Sequence, residues 1–82
     1  MEELKKKGVR PVALEPVGLS HREAEVLSWL AYGKTNSEIG TILELSPRTV
    51  QKHLEHIYEK LGVENRTAAA MRAFGIVPAK AL

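Results

Sequence analysis

Between Arg48 and His56 the chain gathers two cations, a hydroxyl, an amide, a carboxylate and two imidazoles. Arg48 and Lys52 can pair with phosphate or donate to guanine. The Gln51 amide can pair with adenine N6 and N7, and the Glu55 carboxylate can accept from cytosine N4. That chemistry recognises a patterned polyanion; it does not break bonds. No nucleophile in the sequence has an evident base partner, and no glycine-rich phosphate loop follows a strand. His53 and His56, with Glu55 and Glu59 nearby, invite a metal reading, but the H-E-x-x-H spacing is absent. His53 lies about 60° from the centre of an apolar stripe, where an imidazole packs more readily than it ligates. The expectation is no catalytic residue, no metal and no cofactor.

These side chains need a helix to present them, and Ser46 to Gly62 supplies its signals. Ser46 can cap the free N–H groups of the first turn, and Pro47 suits the first helical position. Gly62 can close the helix in the left-handed conformation. Val50, Leu54, Ile57 and Leu61 recur at steps of four, three and four, which makes one buried stripe. At roughly 100° per residue the opposite face carries Arg48, Lys52, Glu55, His56 and Glu59, flanked by Thr49 and Gln51. The half nearest the N-terminus is cationic, which suits a DNA major groove; an ordinary solvated face remains the alternative from this helix alone.

Two helices precede it. Ser20 and Glu23 form an S-x-x-E capping box, with Leu19 placed as a hydrophobic staple. Ala24, Leu27 and Ala31 then share a face with Val26 and Leu30, and Gly33 ends the helix. Trp29 reads as a packing residue. Thr35 and Glu38 repeat the capping box, and Ile39, Ile42 and Leu43 follow the helical pattern. Gly40 costs roughly 1 kcal/mol of helix propensity against Ala, so a helix crossing close by is expected there. This helix is short, about two turns, and a turn of about three residues leads into Ser46. A short helix, a tight turn and a longer helix make a helix-turn-helix. A fourth helix runs from about Arg66 to Phe74, capped by Asn65 and stopped by Gly75.

Composition bounds the rest. Eighty-two residues make one small domain, and the absence of Cys excludes disulfides and thiolate metal sites. No apolar run approaches a membrane span and no secretory signal opens the sequence, so a soluble cytoplasmic protein is expected. Few aromatics and helical periodicity throughout give an all-α class: a compact four-helix domain over residues 19–75. Residues 1–18, with Lys5, Lys6 and Lys7, read as a flexible arm or linker, and residues 76–82 as a tail. The net charge of +2 is a weak nucleic-acid signal, because residues 19–66 hold six basic against seven acidic side chains. Any DNA contact must come from where charges sit.

The strings L-S-H-R-E-A-E-V-L, G-K-T-N-S-E-I-G and S-P-R-T-V-Q-K-H-L-E-H-I-Y-E-K-L-G-V-E-N-R-T-A-A lie in register within the segment from Leu19 to Ala73. The segment resembles the LuxR-type (GerE-like) DNA-binding domain of bacterial transcription regulators. The resemblance implies promoter binding through helices two and three, most often downstream of a sensory or receiver domain. It implies double-stranded DNA as partner, a homodimer on DNA formed through the fourth helix, and RNA polymerase as a further contact. Thr49, Val50, His53 and Leu54 match the pattern T-V-x-x-H-L, while Gln51 stands where many members have Lys. The DNA-contacting set so implied is Thr35, Ser46, Arg48, Thr49, Gln51, Lys52, Glu55, His56, Lys60, Asn65 and Arg66. The dimer set is Thr67, Ala68, Met71 and Arg72. Glu23 is expected to act structurally, through its cap. The competing reading is a helical protein-interaction module that uses Glu55, Glu59 and the apolar fourth helix.

Overall fold

The computed structural model of the chain describes residues 18–76. The expected arm and tail lie outside them, apart from Gly18 and Ile76. The described residues form four helices and no strands: α1 (His21–Ala31), α2 (Asn36–Leu43), α3 (Pro47–Leu61) and α4 (Arg66–Ile76). The all-α, four-helix expectation holds.

Each helix begins where a side chain can serve the orphan N–H groups. The Ser20 and Thr35 hydroxyls accept from the N–H groups of Glu23 and Glu38, and both glutamates return a bond to the cap backbone. The Ser46 hydroxyl accepts from Thr49 N–H at 3.1 Å, ahead of Pro47. The Asn65 side-chain oxygen accepts from Ala68 N–H at 2.9 Å. Gly33 and Gly62 take positive φ at the ends of α1 and α3. Gly75 does not stop α4, which runs on to Ile76. One glycine costs a helix only about 1 kcal/mol against Ala, too little to end it by itself.

Val50, Leu54, Ile57 and Leu61 form the buried stripe of α3, as their spacing predicts. They meet Leu19, Ala24, Val26, Leu27, Trp29 and Leu30, with Ile39 of α2 and Ala69 and Ala73 of α4. Trp29 is buried, and its indole N–H has no hydrogen-bond partner among the described residues. Ile42, expected on the core face, is exposed: Ile39 and Leu43 meet the core, and Ile42 lies about 100° round the helix from Leu43, off that line.

The α2–α3 turn is tight. Glu44 ends α2 in the left-handed conformation (φ 59°, ψ 45°), and Leu45 N–H donates to Gly40 O at 2.8 Å. A Cβ built on Gly40 would stand 2.5 Å from the carbonyl oxygen of Leu45 and 3.6 Å from the nitrogen of Pro47. The close approach expected at Gly40 is therefore made by the turn backbone, where α3 begins, and not by the side of a crossing helix. Gly40→Ala should lower stability by about 1–3 kcal/mol even after the gain in helix propensity, since backbone has to move. Urea unfolding checks this; a stabilised variant would mean the turn is loose.

Candidate nucleic-acid interface

The α3 face opposite the core is open. Arg48, Thr49, Gln51, Lys52, Glu55 and His56 are all exposed, while Val50 and Leu54 between them are fully buried. Arg48, Gln51, Lys52 and Glu55 line one shallow hollow. The hollow lies over the first half of the helix, where the peptide dipoles present their positive end. Thr49 is tied to the cap, its hydroxyl 3.0 Å from that of Ser46. Ser46 and Thr49 thus shape the helix start, and Arg48 extends from it, exposed. Glu59 and Glu55 are exposed on the same helix, so the C-terminal half of the face is acidic.

Two expected contact residues, Gln51 and Arg66, are joined through Asn36 in one network beside this hollow. Arg66 donates through Nη1 to Asn36 Oδ1 at 2.6 Å and through Nη2 to the carbonyl of Lys34. Asn36 Nδ2 in turn donates to Gln51 Oε1 at 3.1 Å. Thr35, immediately before Asn36, caps α2. Arg66, expected at a DNA backbone, thus turns both terminal nitrogens inside the domain, because the start of α2 lies within reach of its long side chain. Arg66 has a second effect nearby: burial raises the pKa of the half-buried Tyr58 above its ordinary value, and the Arg66 charge only partly opposes this.

Lys60 is also engaged. Its Nζ donates to Glu23 Oε1 at 2.7 Å, across from α3 to the capping box of α1. Burial alone would push the Glu23 carboxyl up, but bonds from Lys60 and from Ser20 N–H outweigh it and hold the pKa below its ordinary value. A depressed carboxylate stabilises the fold above its unfolded pKa, and that stabilisation is lost as pH falls through the folded pKa. Lys60→Met should therefore cost about 1 kcal/mol near neutrality, discounted for the exposure of Lys60, and almost nothing once Glu23 is protonated in the wild type. Urea titrations at several pH values measure this difference; a cost independent of pH would refute the ion-pair account.

On α4, Ala69 and Ala73 face the core, and Thr67, Met71, Arg72 and Phe74 face outward, with Ala68 half-buried. Met71 is 70% exposed and Phe74 41%. The expected dimer residues share this outer side. Phe74 belongs with them by position; the sequence reading passed over it because it sits at the expected helix end. Asn36 was missed as well. It lies in the string G-K-T-N-S-E-I-G, but only its spatial neighbours reveal what its amide does. No helix among the described residues is long and apolar enough to cross a membrane.

Known proteins share this arrangement in sequence. The family described as bacterial regulatory proteins, luxR family, matches residues 17–73. The chain is similar to the putative HTH-type transcriptional regulator YhjB of Escherichia coli, 53% identical over 65% of this chain and 26% of that protein. It is similar to the HTH-type quorum-sensing regulator RhlR of Pseudomonas aeruginosa, 48% identical over 71% of this chain and 24% of that protein. The transcriptional repressor ThaA of Burkholderia thailandensis is 43% identical over 68% of this chain and 24% of its own length. The chain thus spans about a quarter of the length of these relatives. No solved structure matches it.

Proposed function

Since the chain belongs to the luxR family of bacterial regulatory proteins, we propose that residues 19–75 bind double-stranded DNA sequence-specifically to regulate transcription. The observation that carries this reading is the one-sidedness of α3. Its apolar stripe is fully engaged, while Arg48, Gln51, Lys52 and Glu55 stand together on the open side. In this reading α3 enters the major groove by its N-terminal half. Arg48, Thr49, Ser46 and Thr35 face the phosphates, while Gln51, Lys52 and Glu55 face base edges, with His56 and Asn65 at the margins. Lys60 and Arg66 work inside the domain. The relatives' names support the reading, since they describe transcriptional regulators. It assigns the protein no catalysis and places it in the cytoplasm with the chromosome, within reach of RNA polymerase.

Binding-site selection from random duplexes tests the proposal. It should return a shared motif, with affinity that falls as salt rises. Selection returning no motif at low salt and micromolar protein would leave the protein-interaction reading in its place.

A dimer on DNA is the second part of the proposal, supported by the exposed apolar side chains Met71 and Phe74 beside Thr67, Ala68 and Arg72. Two-fold assembly implies inverted half-sites spaced near one helical turn. Met71→Glu should weaken binding to a full site and leave half-site affinity within about twofold, because an exposed substitution costs little stability. Equal loss on both sites, measured by gel shift, would remove α4 from the dimer contact.

A further inference from the structure

We propose that Arg66 and Asn36 are positioning residues that set the hydrogen-bonding polarity of Gln51, so that Gln51 meets a base edge as a donor. This rests on the DNA-reading face proposed above.

The chain of bonds has a direction. A guanidinium only donates, so the Asn36 side-chain oxygen must be the atom that faces Arg66. The bond from Arg66 Nη1 is 2.6 Å long, and the second prong, from Nη2 to Lys34 O, holds the guanidinium in place. With its oxygen so committed, the Asn36 amide has only its NH₂ group to offer Gln51. That group also only donates, so Gln51 must turn Oε1 toward it, as the 3.1 Å bond shows. Gln51 is exposed, and its Nε2, with two N–H groups, is left for the open side of α3. Flipping the Gln51 amide would set donor against donor. A polarity fixed at the N-terminus of α4 therefore passes through α2 to α3.

The consequence is a changed base preference. Pairing of a glutamine with adenine needs the amide oxygen turned to N6 while the nitrogen meets N7. Here the oxygen is turned to Asn36. Two outward N–H groups instead suit N7 and O6 of guanine, both acceptors. The preference expected from the residue type alone, adenine, gives way to guanine by roughly tenfold, the low end of what one good base contact contributes.

Asn36→Asp inverts the chain at its middle. One carboxylate oxygen keeps the bond to Arg66, and the other presents an acceptor to Gln51. Gln51 must then turn Nε2 inward and Oε1 outward, toward bases with an amino donor, adenine or cytosine. An aspartate at the first position of α2 suits the positive end of the helix, so the variant folds. Arg66→Lys keeps the charge but loses the two-pronged hold, and should flatten the preference without inverting it.

The experiment measures binding of the full 82-residue chain to its selected duplex and to every single-base variant of it. Wild type, Gln51→Ala, Asn36→Asp and Arg66→Lys are compared. Ratios within one protein cancel the uniform loss caused by the added negative charge. Gln51→Ala identifies the base pair that Gln51 reads. At that pair wild type should prefer guanine, Asn36→Asp should prefer adenine or cytosine, and Arg66→Lys should discriminate at least threefold less. If Gln51→Ala flattens one base pair while Asn36→Asp or Arg66→Lys leaves its preference unchanged, the positioning role is overturned and the DNA-binding reading stands. If Gln51→Ala alters no base pair, Gln51 reads none and the positioning role falls likewise. Wild type without any preferred duplex would remove both.

Discussion

Leu54→Ala should lower the stability of the domain by about 3 kcal/mol, within the 2–5 kcal/mol usual for truncating a buried leucine. Leu54 is fully buried in the middle of the α3 stripe, between Val50 and Ile57, which are fully buried too. A small domain has roughly 5 kcal/mol or little more to lose, so the variant should be partly unfolded near 37 °C. Trp29, the one tryptophan, is buried in the same core and offers a fluorescence signal for urea unfolding. The midpoint should fall with little change in slope, since the surface exposed on unfolding hardly changes. His56→Ala, on the exposed side of the same helix, should stay within about 0.5 kcal/mol of wild type. Similar losses for the two variants would mean that α3 is not packed by the stripe described.

The stripe was legible because its information is local. Four apolar residues at helical spacing leave α3 one face to bury, and Ser46, Pro47 and Gly62 mark its ends. The two capping boxes and the Asn65 cap were legible for the same reason: cap and partner lie three residues apart. What stayed hidden depends on separation along the chain. Lys60 and Glu23 are 37 residues apart, and Arg66 and Asn36 are 30 apart. No periodicity brings such pairs together, so two cations on exposed-looking positions read as DNA contacts. Gly40 lies between these cases. Its cost to the helix announced a close approach, but whether turn or helix made that approach depended on the left-handed backbone of Glu44. The resemblance carried the reading unit, and the geometry redistributes its residues between those that face outward and those that hold them.

Arg48 and Lys52 should separate by what each loses on substitution. Both are exposed and line the same hollow, but Arg48 stands in the first turn of α3 and Lys52 one turn further along. Side chains of the first turn fan toward the groove wall, where phosphates lie; those of the second turn lie nearer its floor. Phosphate contacts set register and carry little sequence information, whereas contacts to base edges specify. Arg48→Ala should therefore weaken all duplexes about equally and lower the salt slope by roughly one. Lys52→Ala should cost on the order of 1–3 kcal/mol on the preferred site and relax preference at one or two base pairs, with guanine the base lost. Glu55 sits beside Lys52 in the hollow, so removing the lysine leaves a carboxylate facing the groove alone. That repulsion adds a uniform loss to the specific one, and only comparison across every single-base change separates them. Lys60→Met provides the baseline, because its charge is paired with Glu23 and its loss should leave the salt slope nearly unchanged. Should Lys52→Ala weaken all sequences alike while Arg48→Ala shifts the preferred bases, α3 lies in the groove by a different part of its length, and the roles of its two cations are exchanged.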